Sequence, residues 1–80
     1  MNKQVTIYTT PTCHFCKMAK DFFDEKGVQY AAHDVAADAA KRAEMIELTG
    51  QLGVPVIVVG DEVLVGFDRG KLAAKLGIEA

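Results

Sequence analysis

Cysteine is scarce in this 80-residue chain: there are two, Cys13 and Cys16, three positions apart. That scarcity narrows what they can be. A structural zinc site takes about four ligands, commonly as two paired half-sites. Beyond the cysteines the chain offers only His14 and His33, with no His-x₃₋₅-His spacing, so no metal is expected. A permanent structural disulfide is disfavoured too, because so short a loop gains little closure entropy. Basic blocks are missing as well. The formal net charge is −2, which argues against a nucleic-acid partner. The longest apolar run, Val54 to Val59, is far too short to cross a bilayer. Met1-Asn2-Lys3-Gln4 leads straight into a strand-like run with no apolar signal segment, so a cytoplasmic location is the expectation. Repeats, low-complexity tracts and linkers are absent, and residues 1–80 read as one domain, near the small end of what folds unaided. A monomer is expected.

What is present centres on Thr12-Cys13-His14-Phe15-Cys16. Cβ atoms three apart on a helix lie roughly 5–6 Å from one another. A disulfide needs them at about 3.5–4.5 Å, so a reversible bond within one helical turn is reasonable. The first turn of a helix also carries unpaired N–H groups and the positive end of the dipole, which favour a thiolate. Inert buried cysteines belong among core residues, whereas Thr12 and His14 flank these with polar groups. In a reducing compartment such a pair is expected to be catalytic. Cys13, at the loop–helix junction, reads as the nucleophile, and Cys16, one turn in, as the resolving thiol.

The rest of the chain supplies a frame for that turn. Lys3 to Tyr8 alternates as a strand, and Pro11 closes the loop after it. Phe15, Met18, Ala19, Phe22 and Phe23 recur at helical spacing from His14 to Lys26, predicting a helix that buries this stripe and stops at Gly27. Val28 to His33 is a weaker second strand. Asp38 caps a helix over Ala39 to Thr49, closed by Gly50, with Ala39, Ala43 and Ile46 expected on its inner face. Pro55 to Val59 and Glu62 to Val65 form a hairpin about Gly60-Asp61. The first of these runs is apolar enough to be buried on both faces. Asp68 caps a last helix from about Arg69, which Gly77 ends. The order is β-α-β-α-β-β-α, an α/β fold with a four-stranded mixed sheet flanked by three helices.

Three marks in this order resemble the thioredoxin fold, and more closely the glutaredoxins: Cys13-His14-Phe15-Cys16, Gly53-Val54-Pro55 and Gly66-Phe67-Asp68. The resemblance covers essentially the whole chain. It implies a cis Val54–Pro55 bond, with the Val54 backbone pairing to the substrate's and Pro55 lying beside Cys13. It also implies that Gly66, Phe67 and Asp68 rim the same groove, and that Thr12, His14 and Phe15 contact substrate. There are departures. The family's Pro-Tyr between the cysteines is His14-Phe15 here. Its basic residue three before the first cysteine, which binds a glutathione carboxylate, is Thr10. Of two acidic residues after strand four, Asp68 alone remains, able to meet the glutathione amine or simply to cap the helix. Arg69, Lys17 and Lys20 are the nearest replacement cations. The stretch from Gln51 to Phe67 is also similar to the NrdH redoxins, which take electrons from thioredoxin reductase and feed ribonucleotide reductase.

The expected activity is thiol–disulfide exchange on protein or glutathione mixed disulfides through a Cys13/Cys16 cycle. No bound cofactor is needed, and either glutathione or a thioredoxin-reductase-type donor would supply electrons. An iron–sulfur cluster held between two subunits through Cys13 is the alternative the resemblance allows.

Overall fold

The computed structural model describes residues 4–78. Seven elements follow one another: β1 (Val5–Thr9), α1 (His14–Lys26), β2 (Ala31–Asp34), α2 (Ala39–Thr49), β3 (Val56–Val59), β4 (Glu62–Val65) and α3 (Arg69–Leu76). The sheet order is β2-β1-β3-β4, with β1 parallel to β2 and the other pairs antiparallel. This is the thioredoxin fold.

Register assigns the two faces of the sheet. Val5 pairs with Val59 and Ile7 with Ile57, so their side chains share one face, where they pack with Ala19, Phe22 and Phe23 of α1 and Leu72 and Ala73 of α3. Tyr8 pairs with Val56 on the opposite face, where they pack with Met45 of α2 and with Val35 from the loop before it. Two helices thus cover one face and one helix the other. β3 lies between both layers, with Val56, Ile57 and Val59 all buried, as its unbroken apolar run predicts.

The helix ends follow local chemistry. Asp38 and Asp68 each accept a hydrogen bond from a backbone N–H three residues on, at 3.1 Å, satisfying donors that the helix cannot pair itself. Gly27, at φ 68°, closes α1 in the left-handed conformation, which costs glycine nothing.

Three expectations are corrected. The second strand begins at Ala31 rather than Val28. The Val28 N–H is spent on the Phe23 carbonyl at 2.8 Å in the turn that ends α1, and Val28 and Tyr30 pack onto the α1 core. Helix α2 is rotated from the expected face: Met45 is fully buried, Ala39 and Ala43 are exposed, and Ile46 is 40% exposed. Two polar ties hold that rotation. Arg42 donates to the Val35 carbonyl at 2.9 Å, and the Tyr8 hydroxyl donates a hydrogen bond to Glu44. Burial and Glu44 together push the Tyr8 phenol up to about 12. The third correction is at β1, which runs to Thr9; its expected start at Lys3 lies outside the described residues.

Candidate active site

One end of the sheet collects everything the motifs single out. β1 runs toward that end and delivers the Thr10–Cys13 loop. β3 starts there, β4 finishes there with Val65 paired to Val56, and Tyr8, next to the end of β1, pairs with the same Val56. The Cys13 turn, Val54–Pro55 and Gly66-Phe67-Asp68 are therefore neighbours because of strand direction. Val54–Pro55 is cis and Pro55 is buried. The Pro55 carbonyl accepts from the Gly66 N–H at 2.8 Å, tying the second motif to the third.

The two thiols are unlike. Cys13 is the N-cap of α1, with extended φ and ψ, and is partly exposed. Its sulfur accepts from the Cys16 N–H at 3.2 Å, a donor that negative charge on the sulfur satisfies best. Cys16 is 1% exposed. Burial pushes its thiol up, and the contact with the Cys13 sulfur adds to that. One sulfur is thus open and supplied with a donor, while the other is covered and held as a thiol.

Thr9 is a residue that sequence reasoning passed over. It is the one polar side chain fully buried among the described residues, 3% exposed; its hydroxyl donates to the Thr10 carbonyl at 3.3 Å, and its place beside Cys16 opposes the upward pull of burial on that thiol. The only signal was a threonine ending the first strand, which periodicity reads as ordinary. Thr9→Val keeps shape and removes the hydroxyl. Losing that hydroxyl should disfavour the Cys16 thiolate. Release of thiol from a mixed disulfide preformed on Cys13, followed against pH, should rise at higher pH in Thr9→Val than in the parent. An unshifted profile would remove Thr9 from this role.

The stripe predicted as core divides at this end. Ala19, Phe22 and Phe23 are buried, but Phe15 is 55% and Met18 39% exposed, because the first turn of α1 stands at the end of the sheet. Phe15 makes an edge contact with His14, also exposed, with ring centroids 5.5 Å apart. Thr12 is exposed, and Val54 and Phe67 are half-buried. Two of the three replacement cations, Lys17 and Arg69, are engaged elsewhere. Lys17 pairs with Asp21 at 2.8 Å. Arg69 pairs with Glu25 at 2.7 Å and lies 4.7 Å from the centre of the Phe22 ring. Asp68 caps α3 through Oδ1. Among the described residues, no group of three or more His, Cys, Asp or Glu is arranged to hold a metal ion, and no helix is long and apolar enough to cross a membrane.

A thioredoxin fold presenting an open thiol one turn from a covered one, at the sheet end where a cis-proline lies, defines the class as a thiol–disulfide oxidoreductase. The glutaredoxin family model matches residues 5–64, and the chain belongs to the glutaredoxin family. It is 38% identical over 68 residues to a glutaredoxin-like 8.6 kDa protein of the rubredoxin operon of Clostridium pasteurianum, covering 85% of this chain and 91% of that one. Among solved structures, the thioredoxin-like protein BC3987, in a mutant form, superposes with a TM-score of 0.90 at 33% identity, over 95% of this chain and 97% of that one. The glutaredoxin-like NrdH-redoxin from Escherichia coli, described as having a thioredoxin-like activity profile, gives 0.78 at 25% identity, over 89% and 92%.

Proposed function

We propose that the chain reduces disulfides of proteins by a two-cysteine cycle. Cys13 thiolate attacks a substrate sulfur and forms a mixed disulfide, expelling one substrate thiol. Cys16 then loses its proton and attacks Cys13, releasing the second thiol and leaving Cys13–Cys16 oxidised. The observation that carries this reading is the contrast between the two sulfurs: Cys13 is open with an N–H donor on it, and Cys16 is buried with its thiol pushed up. The Val54 backbone at the cis bond is available to align an extended substrate segment, with Thr12, His14, Phe15, Gly66, Phe67 and Asp68 around it. The cycle needs no bound cofactor, and a reducing cytoplasm suits it.

A thioredoxin-reductase-type protein is the favoured electron donor over glutathione. Glutathione carries two carboxylates and an amine, so a dedicated site needs cations. Thr9, Thr10, Pro11 and Thr12 offer hydroxyls only, and Lys17 and Arg69 are already ion-paired to Asp21 and Glu25. Exchanging a charged hydrogen bond of about 1.5–3 kcal/mol for a neutral one of about 1 kcal/mol weakens binding by about 2- to 30-fold for one contact. The likeness to NrdH-redoxin supports the same choice. With NADPH regeneration, oxidised protein should be reduced faster by thioredoxin reductase than by glutathione at a few millimolar. Efficient reduction by glutathione with none by thioredoxin reductase would overturn this choice of donor and leave the cysteine roles intact.

A further inference from the structure

One side chain at the site is not used by the two-cysteine cycle. His14 follows the nucleophile directly, is exposed, and its ring makes an edge contact with that of the exposed Phe15. The leaving sulfur of a substrate departs on the exposed side. Displacement at sulfur proceeds in line, Cys16 is buried while Cys13 is partly exposed, and the Cys13 sulfur is already engaged on the Cys16 side by the Cys16 N–H. The departing thiolate is a poorer leaving group the more basic it is, so a proton supplied as the S–S bond breaks is of use.

The neighbouring groups are poor sources of that proton. Thr10 and Thr12 carry hydroxyls, which do not ionise near neutrality. The Lys17 ammonium lies one turn along the helix and is held by Asp21. The Cys16 thiol is buried on the inner side and keeps its proton for the second step. Imidazole is the side chain whose ordinary titration lies near neutrality and which serves most often as general acid.

We propose that His14 is a catalytic general acid for the first displacement. Cys13 thiolate attacks a disulfide RS–SR′, the Cys13–SR bond forms, the S–S′ bond breaks, and its electron pair goes to R′S. The His14 imidazolium gives R′S its proton, leaving R′SH and a neutral imidazole that is reprotonated from water. This rests on Cys13 being the nucleophile, as above.

The test isolates the first displacement in Cys16→Ser, with two uncharged disulfides. Bis(2-hydroxyethyl) disulfide expels a basic alkyl thiolate, whereas 4,4′-dithiodipyridine expels thiopyridone, which needs no proton at sulfur. General acid–base catalysis commonly contributes about 10²–10⁴-fold; thiolates are tolerable leaving groups, so the expected loss is smaller. Adding His14→Gln should slow the alkyl disulfide about tenfold and leave the pyridyl disulfide within about twofold. His14→Arg, which keeps a cation that cannot give up its proton, should be as slow as His14→Gln on the alkyl disulfide. Equal slowing of both substrates, no slowing of either, or rescue by arginine would each overturn the proposal. No reaction of the Cys16→Ser parent with the pyridyl disulfide would instead refute Cys13 as the nucleophile.

Discussion

Cys13→Ser is expected to abolish reduction of a protein disulfide, with residual turnover at the level of the uncatalysed exchange. The sulfur that accepts the Cys16 N–H is the one a substrate can reach. A serine hydroxyl in its place does not form a disulfide, and the remaining thiol is 1% exposed. Cys16→Ser should behave differently. The first attack proceeds at Cys13, one substrate thiol is released, and the protein accumulates as a covalent adduct because no internal thiol resolves it. Mass spectrometry of each variant after incubation with a disulfide-bonded protein distinguishes the two: an adduct with Cys16→Ser and none with Cys13→Ser. Sustained turnover by Cys13→Ser would reverse the roles given to the two cysteines.

The second large effect concerns the support beneath that turn. Phe23 is 0% exposed and packs against Tyr30 and Phe22, with ring centroids at 4.9 and 6.1 Å. It belongs to the cluster that joins α1 to the sheet and to α3. Phe→Ala in a core costs about 3–5 kcal/mol through lost transfer energy and the cavity left behind. A domain of this length has only about 4–12 kcal/mol of stability in all, at about 0.05–0.15 kcal/mol per residue. Phe23→Ala should therefore lower the urea midpoint by a large fraction and leave part of the population unfolded at 37 °C. Phe15→Ala on the same helix serves as the contrast. Its ring is 55% exposed, and its loss should cost under about 1 kcal/mol. Comparable destabilisation by the two would contradict the division of the helix into buried and exposed portions.

That division marks where sequence and structure part. The order of elements, the caps at Asp38 and Asp68, the glycine stops at Gly27, Gly50 and Gly77, and the Cys13–Cys16 turn at a helix start were all legible in the chain. Each is set by interactions within one turn of backbone, so residue types a few positions apart suffice to specify it. The cis Val54–Pro55 bond and the grouping of the three motifs were legible through the family resemblance. Neither follows from periodicity.

The tertiary structure decided the remainder. Helix α2 has apolar side chains on more than one face, and periodicity alone does not choose between Met45 and Ile46. The choice is made by the Arg42 bond to Val35 and by Glu44 bonding to Tyr8, 36 positions away. Phe15 and Phe22 read alike in sequence; only the end of the sheet leaves one in solvent and the other in the core. Arg69 and Lys17 look like free cations until their partners Glu25 and Asp21 are seen. Thr9 gains its part solely by ending a strand behind Cys16. Local chemistry, then, determined which elements form and where the reactive turn begins. Long-range packing determined which side chains face that turn and which charges remain for a ligand, because those depend on residues far apart in the chain.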